Sequence, residues 1–263
     1  NKTLKWVSKH VNDNIWFTAS FESETLKVLQ TTNINTVKWV KKILEFSNKT
    51  SVLNKNLQGT IKCKLEFPNN WGLGSSSTLL NNLANLYEIN PYDLHFATTN
   101  GSGYDIACAG SNSPLTYQVS LNIPDVKKID WSPVFKNEIL FIFLKKKQKS
   151  NLEVKRFKEL KKDPNLINKI SKITKEIIRA NTIEEFEYLL DEHEAITGQY
   201  IKSETVKSKY FSDYKGSVKS LGAWGGDFIL ATRKNKKYFF EKGFDTIFSY
   251  SELIKESTFK TVS

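Results

Sequence analysis

Three stretches of the 263-residue chain combine small residues with groups able to handle an anion or a proton: "WGLGSSS" at 71–77, "NGSGYDIACAG" at 100–110 and "KSLGAWGGD" at 219–227. In the first, Gly72 and Gly74 remove the Cβ obstruction just ahead of a segment with helical periodicity. A helix N-terminus leaves backbone N–H groups unpaired and carries a partial positive charge, so a phosphate could approach the backbone there. Ser75, Ser76 and Ser77 add hydroxyls that bond a phosphate oxygen or face a metal ion. The same residues also fit a plain glycine turn followed by a serine N-cap. In the second stretch, Asp105 follows Gly103 by two residues. Its carboxylate suits orienting or deprotonating an acceptor hydroxyl, and equally an Asx-turn. The Walker pattern G-x-x-x-x-G-K-[ST] is absent, which excludes the ordinary P-loop class.

The flanking patterns say what must position these residues. "IWFTASFES" (15–23) and "QGTIKCKLEF" (58–67) alternate apolar with polar residues and read as half-buried strands. Between them Val37, Val40, Ile43 and Leu44 fall at helical spacing. Beyond the first glycine stretch, Leu79, Leu80, Leu83 and Leu86 are expected on one helical face, ended by "INP". Strand, Gly/Ser turn and helix therefore follow one another. A change of pattern near 133 divides the chain into an expected 1–133 lobe and a 134–263 lobe. In the second lobe "EILFIFL", "DFILATR", "YFFEK" and "FDTIFSY" read as four strands. "ELKKDPNLINKISKITKEIIRA" and "NTIEEFEYLLDEHEAITGQYI" read as amphipathic helices, the latter opened by Asn181 or Thr182 with Glu185 behind it. The result is an α+β class.

Composition narrows the partners. Lys+Arg outnumber Asp+Glu by 39 to 28, a formal net charge of +11, which suits an anionic ligand. The Lys-rich runs at 145–149 and 158–162 read as solvated surface, and no zinc-finger or RNP-like pattern accompanies them. No apolar run of about 18 residues and no secretory signal pattern occur, so a soluble, cytoplasmic protein without a membrane partner is expected. Cys63 and Cys108 form no C-x-x-C pair and read as small buried hydrophobes. His10 and His95 are read as structural, and His193 as structural or substrate-proximal. No methionine occurs, even at position 1, which is the ground for expecting residues ahead of Asn1.

Taken in order, P-x-x-x-G-L-G-S-S-S, G-S-G-Y-D-I-A and L-G-A-W-G-G-D resemble the motifs of the GHMP kinases, the galactokinase, homoserine, mevalonate and phosphomevalonate kinase superfamily. The bacterial branch named for Gly-Tyr-Asp-Ile-Ala is most similar. The resemblance spans residues 58 to about 232. It implies a two-lobed fold, with an N-terminal lobe like domain 2 of ribosomal protein S5 and a ferredoxin-like C-terminal lobe. It implies ATP and Mg²⁺ as cofactors and a small-molecule acceptor, mevalonate or phosphomevalonate, rather than nucleic acid. Pro68 to Thr78 would be the phosphate loop, with Gly72, Leu73, Gly74, Ser75, Ser76 and Ser77 around the phosphates and Ser75 or Ser76 near the metal. Asp105 would be the catalytic aspartate, with Ser102, Gly103 and Tyr104 beside the acceptor. Gly222, Ala223, Gly225 and Gly226 would close against the phosphates. A diphosphomevalonate decarboxylase-like enzyme and a non-catalytic binding protein of the same fold are the alternatives. Oligomeric state is not legible.

The chain departs from the superfamily pattern in three places. The opening G-K-x-x-x-x-G-E-H strand is not found, and Lys2 and Lys5 do not replace its lysine. Counting eleven residues back from Asp105, where many mevalonate kinases carry a metal-binding glutamate, reaches Leu94, between Asp93 and His95. Trp224 stands where G-A-G-G-G has its middle glycine, and is read as packing. Glu192, His193 and Glu194, being consecutive, are not expected to share a helical face.

Overall fold

Leu4, Trp6 and Ser8 are buried and alternate with the more open Lys5, Val7 and Lys9, and that period of two makes a strand whose one face is buried. The computed structural model describes residues 2–53, 56–146, 157–222, 224 and 226–255. In it β1 (Thr3–Lys9) lies inside a sheet of order β3-β2-β1-β4, formed with β2 (Ile15–Glu22), β3 (Val28–Thr31) and β4 (Gly59–Lys64). The opening segment, which sequence reading left without an element, is thus a central strand. β1 is antiparallel to β2 and parallel to β4. The parallel pair needs a long crossover. It contains α1 (Ile34–Thr50), which opens on an Asn33 side-chain cap and buries Val37, Val40, Ile43 and Leu44 as its spacing predicts.

Helices α2 (Ser75–Tyr87), α3 (Pro91–Thr98) and α4 (Tyr104–Ala109) complete this core, and a hairpin of β5 (Leu115–Ser120) and β6 (Ile123–Lys128) follows. The buried face of α2 is Leu80, Leu83, Ala84 and Tyr87, while Leu86 is exposed. Apolar type alone had placed Leu86 inward, but Ala84 and Tyr87 continue the i, i+3, i+4 stripe and Leu86 lies off it. Cys63 is half-buried against the core and Cys108 is exposed, so only the first behaves as a core residue.

A second sheet is built from β7 (Leu140–Phe143), β8 (Val218–Ser220), β9 (Phe228–Ala231) and β10 (Ile247–Ser249), in the order β10-β7-β9-β8 with every pair antiparallel. Helices α5 (Pro164–Arg179) and α6 (Ile183–Tyr200) and the short α7 (Val206–Tyr210) separate β7 from β8; α8 (Lys236–Glu241) separates β9 from β10, and α9 (Tyr250–Leu253) follows. This is the βαββαβ order of a ferredoxin-like lobe. Thr182 and Glu185 close a capping box at the start of α6.

One strand expectation fails. "YFFEK" lies in and just after α8, because Asn235 accepts the Tyr238 N–H as a helix cap and Phe239 turns into a cluster with Phe211 and Tyr214. Its aromatic β-formers are overridden by tertiary packing. The fourth strand is instead β8, three residues that open the third glycine stretch.

The chain separates into two compact units: Asn1–Asn69, Leu73–Ser111 and Leu115–Lys128 form one, and Asn70–Gly72, Asn112–Pro114 and Ile129–Ser263 the other. Among the described residues no helix is long and apolar enough to cross a membrane, and no group of three His, Cys, Asp or Glu side chains is placed to hold a metal ion.

Candidate functional site

The first glycine stretch begins in the second unit, where the Trp71 ring packs 5.9, 5.8 and 5.4 Å from those of Phe143, Phe228 and Phe248. Gly72 follows with φ +68°, a left-handed conformation that favours glycine. A Cβ there would stand 2.4 Å from Cγ of Asp227, the residue next to Gly226. Within this unit the first and third stretches are therefore in contact. What fills the space beside Gly72 is the Asp227 carboxylate.

In the first unit Gly74, with φ 76° and ψ 31°, occupies the N-cap position of α2 and supplies no side-chain cap. The serines do not cap either. Ser77, which is buried, donates its hydroxyl to the Gly74 carbonyl at 2.9 Å, and Thr78 Oγ1 donates to the same oxygen at 3.0 Å. Six other helices, α1, α3 and α5 to α8, open on Asn33, Asn90, Asp163, Thr182, Thr205 and Asn235, whose side chains accept backbone N–H groups. At α2 the first-turn N–H groups lack such an acceptor, and Ser76 stands exposed beside them. The serine N-cap that the plain-turn alternative requires is not formed.

The second stretch opens a helix rather than a free turn: Gly103, at φ 87°, is the N-cap of α4, and Tyr104 and Asp105 are in its first turn. The approach to it is pinned from behind. Tyr117 Oη donates to the Ser102 carbonyl at 2.6 Å, and a Cβ on Gly103 would meet Tyr117 Oη at 3.0 Å and Phe96 Cζ at 3.3 Å. Asp105 stands open at the surface of the unit, yet the surrounding protein withdraws water from its carboxylate and raises its pKa; Tyr104 and His95 pull it back down. The same withdrawal of water raises the Tyr104 phenol and the Cys108 thiol, although both side chains reach the surface of the unit. α4 packs on α2, so the helices bearing the first two stretches adjoin.

His95, read from sequence as structural, is electrostatically coupled to Asp105. It is buried, its ring shares a hydrogen bond with Thr99 Oγ1, and a Cβ on Gly101 would lie 3.1 Å from its Cε1. Burial lowers its pKa, opposed by a bond with the Gly101 backbone and by the charge of Asp105. Counting eleven back from Asp105 had passed it by one residue.

The third stretch is the loop between β8 and β9, closed by a Leu221 N–H bond to the Phe228 carbonyl at 3.1 Å. Gly222 has φ +65° with open space where a Cβ would stand, and Gly226 is buried. Ala223 and Gly225 lie outside the described residues. Trp224 sits 3.4 Å from the position of a Cβ on Gly198 of α6, in keeping with a packing role. Asp227, at φ 50°, is held by the Lys146 carbonyl accepting its N–H at 2.9 Å and by its own carbonyl accepting Leu144 N–H at 2.7 Å. Sequence reasoning missed Asp227, although its place directly after Gly225-Gly226 was a usable signal.

The sequence matches no protein-family model and no curated protein. The three-dimensional arrangement is nonetheless defined: a two-lobed α+β chain with the fold of the GHMP kinases. It is similar to the Lin0012 protein of Listeria innocua, with a TM-score of 0.61 at 15% identity over 94% of this chain and 87% of that one. It is similar also to the galactokinase of Lactococcus lactis complexed with galactose, with a TM-score of 0.60 at 14% identity over 95% and 82% of the two chains. For the mevalonate kinase of Methanococcus jannaschii the values are 0.57, 14%, 94% and 84%.

Proposed function

We propose that the chain is an ATP- and Mg²⁺-dependent kinase of a small metabolite, with mevalonate or phosphomevalonate as the leading acceptors. The observation that carries this reading is the N-terminus of α2: a left-handed glycine in place of a cap, and first-turn N–H groups without a side-chain acceptor. A polyphosphate fits such an end in charge and in hydrogen-bonding need. Backbone N–H groups of Ser75, Ser76 and Ser77 would hold the phosphates, with the Ser75 or Ser76 hydroxyl toward the metal. When bound, Mg-ATP supplies the transferable phosphoryl group and neutralises its charge.

Asp105 would orient the acceptor hydroxyl and take its proton, a role helped by its raised pKa, which brings a carboxylate closer to the strength of a useful base. Ser102, Gly103 and Tyr104 would line the acceptor, held in register by the Tyr117 bond to the Ser102 carbonyl. An acceptor that is already a phosphate needs no base, and Asp105 would then hold a cation instead. The likeness in fold to a galactokinase and to mevalonate kinases supports the reaction class, and the charge of +11 favours an anionic acceptor over a neutral sugar.

Mg-ATP is expected to raise the melting temperature, since a ligand at about 100 times its Kd stabilises the folded state by about 2.7 kcal/mol. Gly74→Val, which puts a β-branched side chain at φ 76°, is expected to abolish that shift. An undiminished shift in the variant would reduce the first stretch to a helix start. ADP release across a panel of mevalonate, phosphomevalonate and galactose then identifies the acceptor. Carbon dioxide release would instead mark a decarboxylase, and ATP binding without turnover of any acceptor a non-catalytic protein.

A further inference from the structure

Directly before the third glycine stretch, α6 and the edge strand β8 bring three ionisable side chains together. Lys219 Nζ lies 3.0 Å from His193 Nδ1 and 3.0 Å from Glu194 Oε1. The other oxygen of Glu194 accepts the Ser220 N–H at 3.1 Å, satisfying an N–H on the open side of β8. Although His193 and Glu194 are consecutive, the lysine reaches both. Glu194 is 3% exposed, whereas the Lys219 and His193 side chains are 20% and 21% exposed. The neighbouring carboxylates are engaged elsewhere, Glu192 with Lys169 at 3.1 Å and Asp191 with Lys207 at 3.5 Å.

The donor arithmetic leaves two protons over. An ammonium group only donates, so Nδ1 of His193 must be the acceptor and the ring proton sits on Nε2. The Thr197 hydroxyl, at 3.4 Å, is also near Nδ1. Among the described residues Nε2–H therefore has no acceptor, and neither has the third proton of Lys219. Holding a lysine in place requires only Glu194. A histidine fixed in one tautomer by that lysine, with its N–H directed away from the pair, adds a second donor for something from outside.

We propose that His193 Nε2–H and the Lys219 ammonium form a two-donor site for an oxyanion, a carboxylate or a phosphate, with Glu194 as the fixed counter-charge. Because Glu194 offsets the lysine's charge, the site holds an oxygen by directed hydrogen bonds more than by net attraction. Its affinity should rise when that counter-charge is removed.

The test is a titration of the whole protein, with histidine-ring and lysine-ammonium ¹⁵N labels, at constant ionic strength. Inorganic phosphate and acetate serve as oxyanion probes, galactose as a neutral one, and Mg-ATP as the nucleotide. Both oxyanions are expected to shift the His193 Nε2 and Lys219 Nζ resonances, and galactose to leave them in place. Lys219→Met is expected to weaken phosphate binding roughly tenfold or more, and Glu194→Gln to strengthen it roughly three- to tenfold, a change of up to about 1.4 kcal/mol. If Lys219→Met does not fold, Lys219→Arg and the parent titration carry the comparison. No movement at His193 with either oxyanion, or weaker phosphate binding in folded Glu194→Gln, overturns the site. Movement with Mg-ATP alone overturns the site as one for a free carboxylate or phosphate. Movement with phosphate in a protein that shows no thermal response to Mg-ATP leaves the site standing and removes the kinase reading.

Discussion

Asp105→Asn is expected to keep Mg-ATP affinity within a few-fold of the parent and to lower turnover by roughly 10²-fold or more. The substitution preserves size and helix-start preference while removing the charge that would receive the acceptor proton. A group that acts only in the transition state shows in turnover rather than in ground-state binding. The pH profile gives the expectation a second arm. The pKa of Asp105 is raised in the folded protein, chiefly because the surrounding protein withdraws water from its carboxylate, so the acid limb of turnover should lie above the ordinary aspartate value and vanish in the variant.

The sign for stability follows from the same shift. Between the ordinary and the raised pKa the folded chain binds more protons than the unfolded chain, so ionisation of Asp105 weakens the fold as pH rises through that window. At neutral pH the asparagine variant should therefore be at least as stable as the parent, with any difference closing in acid. Normal turnover in Asp105→Asn makes the residue a helix-start feature and nothing more. Lost turnover accompanied by a lower melting temperature at neutral pH points to misfolding instead.

The second large effect is expected at Gly72. An alanine there meets two penalties: a left-handed backbone at φ +68°, and a Cβ 2.4 Å from the Asp227 carboxylate. Left-handed strain is worth about 1–2 kcal/mol and overpacking about 1–3 kcal/mol, so Gly72→Ala should destabilise the second unit by about 2–5 kcal/mol in denaturant unfolding. Asp227→Gly removes the carboxylate and suits the left-handed backbone at φ 50°. In that background Gly72→Ala should retain only the strain, about 1–2 kcal/mol, which makes the pair non-additive. Equal penalties in the two backgrounds would mean that the contact does not set the requirement for glycine.

Much of the local structure was legible in the chain. Val37, Val40, Ile43 and Leu44 marked the buried face of α1, and Thr182 with Glu185 marked the start of α6, because a helix writes its face and its cap within a few residues. The glycine stretches were legible for the same reason, since each is a local backbone demand. Less legible were elements whose state depends on a distant neighbour. β1 is half lysine and polar residues, and becomes a strand inside the sheet only because β2 and β4 flank it. "YFFEK" has strand-forming residues, and becomes helical because Phe239 must meet Phe211 and Tyr214.

By itself, then, the sequence determined an α+β chain with three glycine-rich turns, one leading into a long helix, and an aspartate at the second. Only the folded structure decided that Gly72 must stay bare because of Asp227, that the end of α2 lacks a side-chain cap, that His95 lies within the field of Asp105, and that one lysine ties His193 to Glu194. The physical reason is range. Periodicity and capping act over one or two turns of chain, whereas steric exclusion, desolvation and ion pairing act through space between residues whose sequence separation carries no pattern.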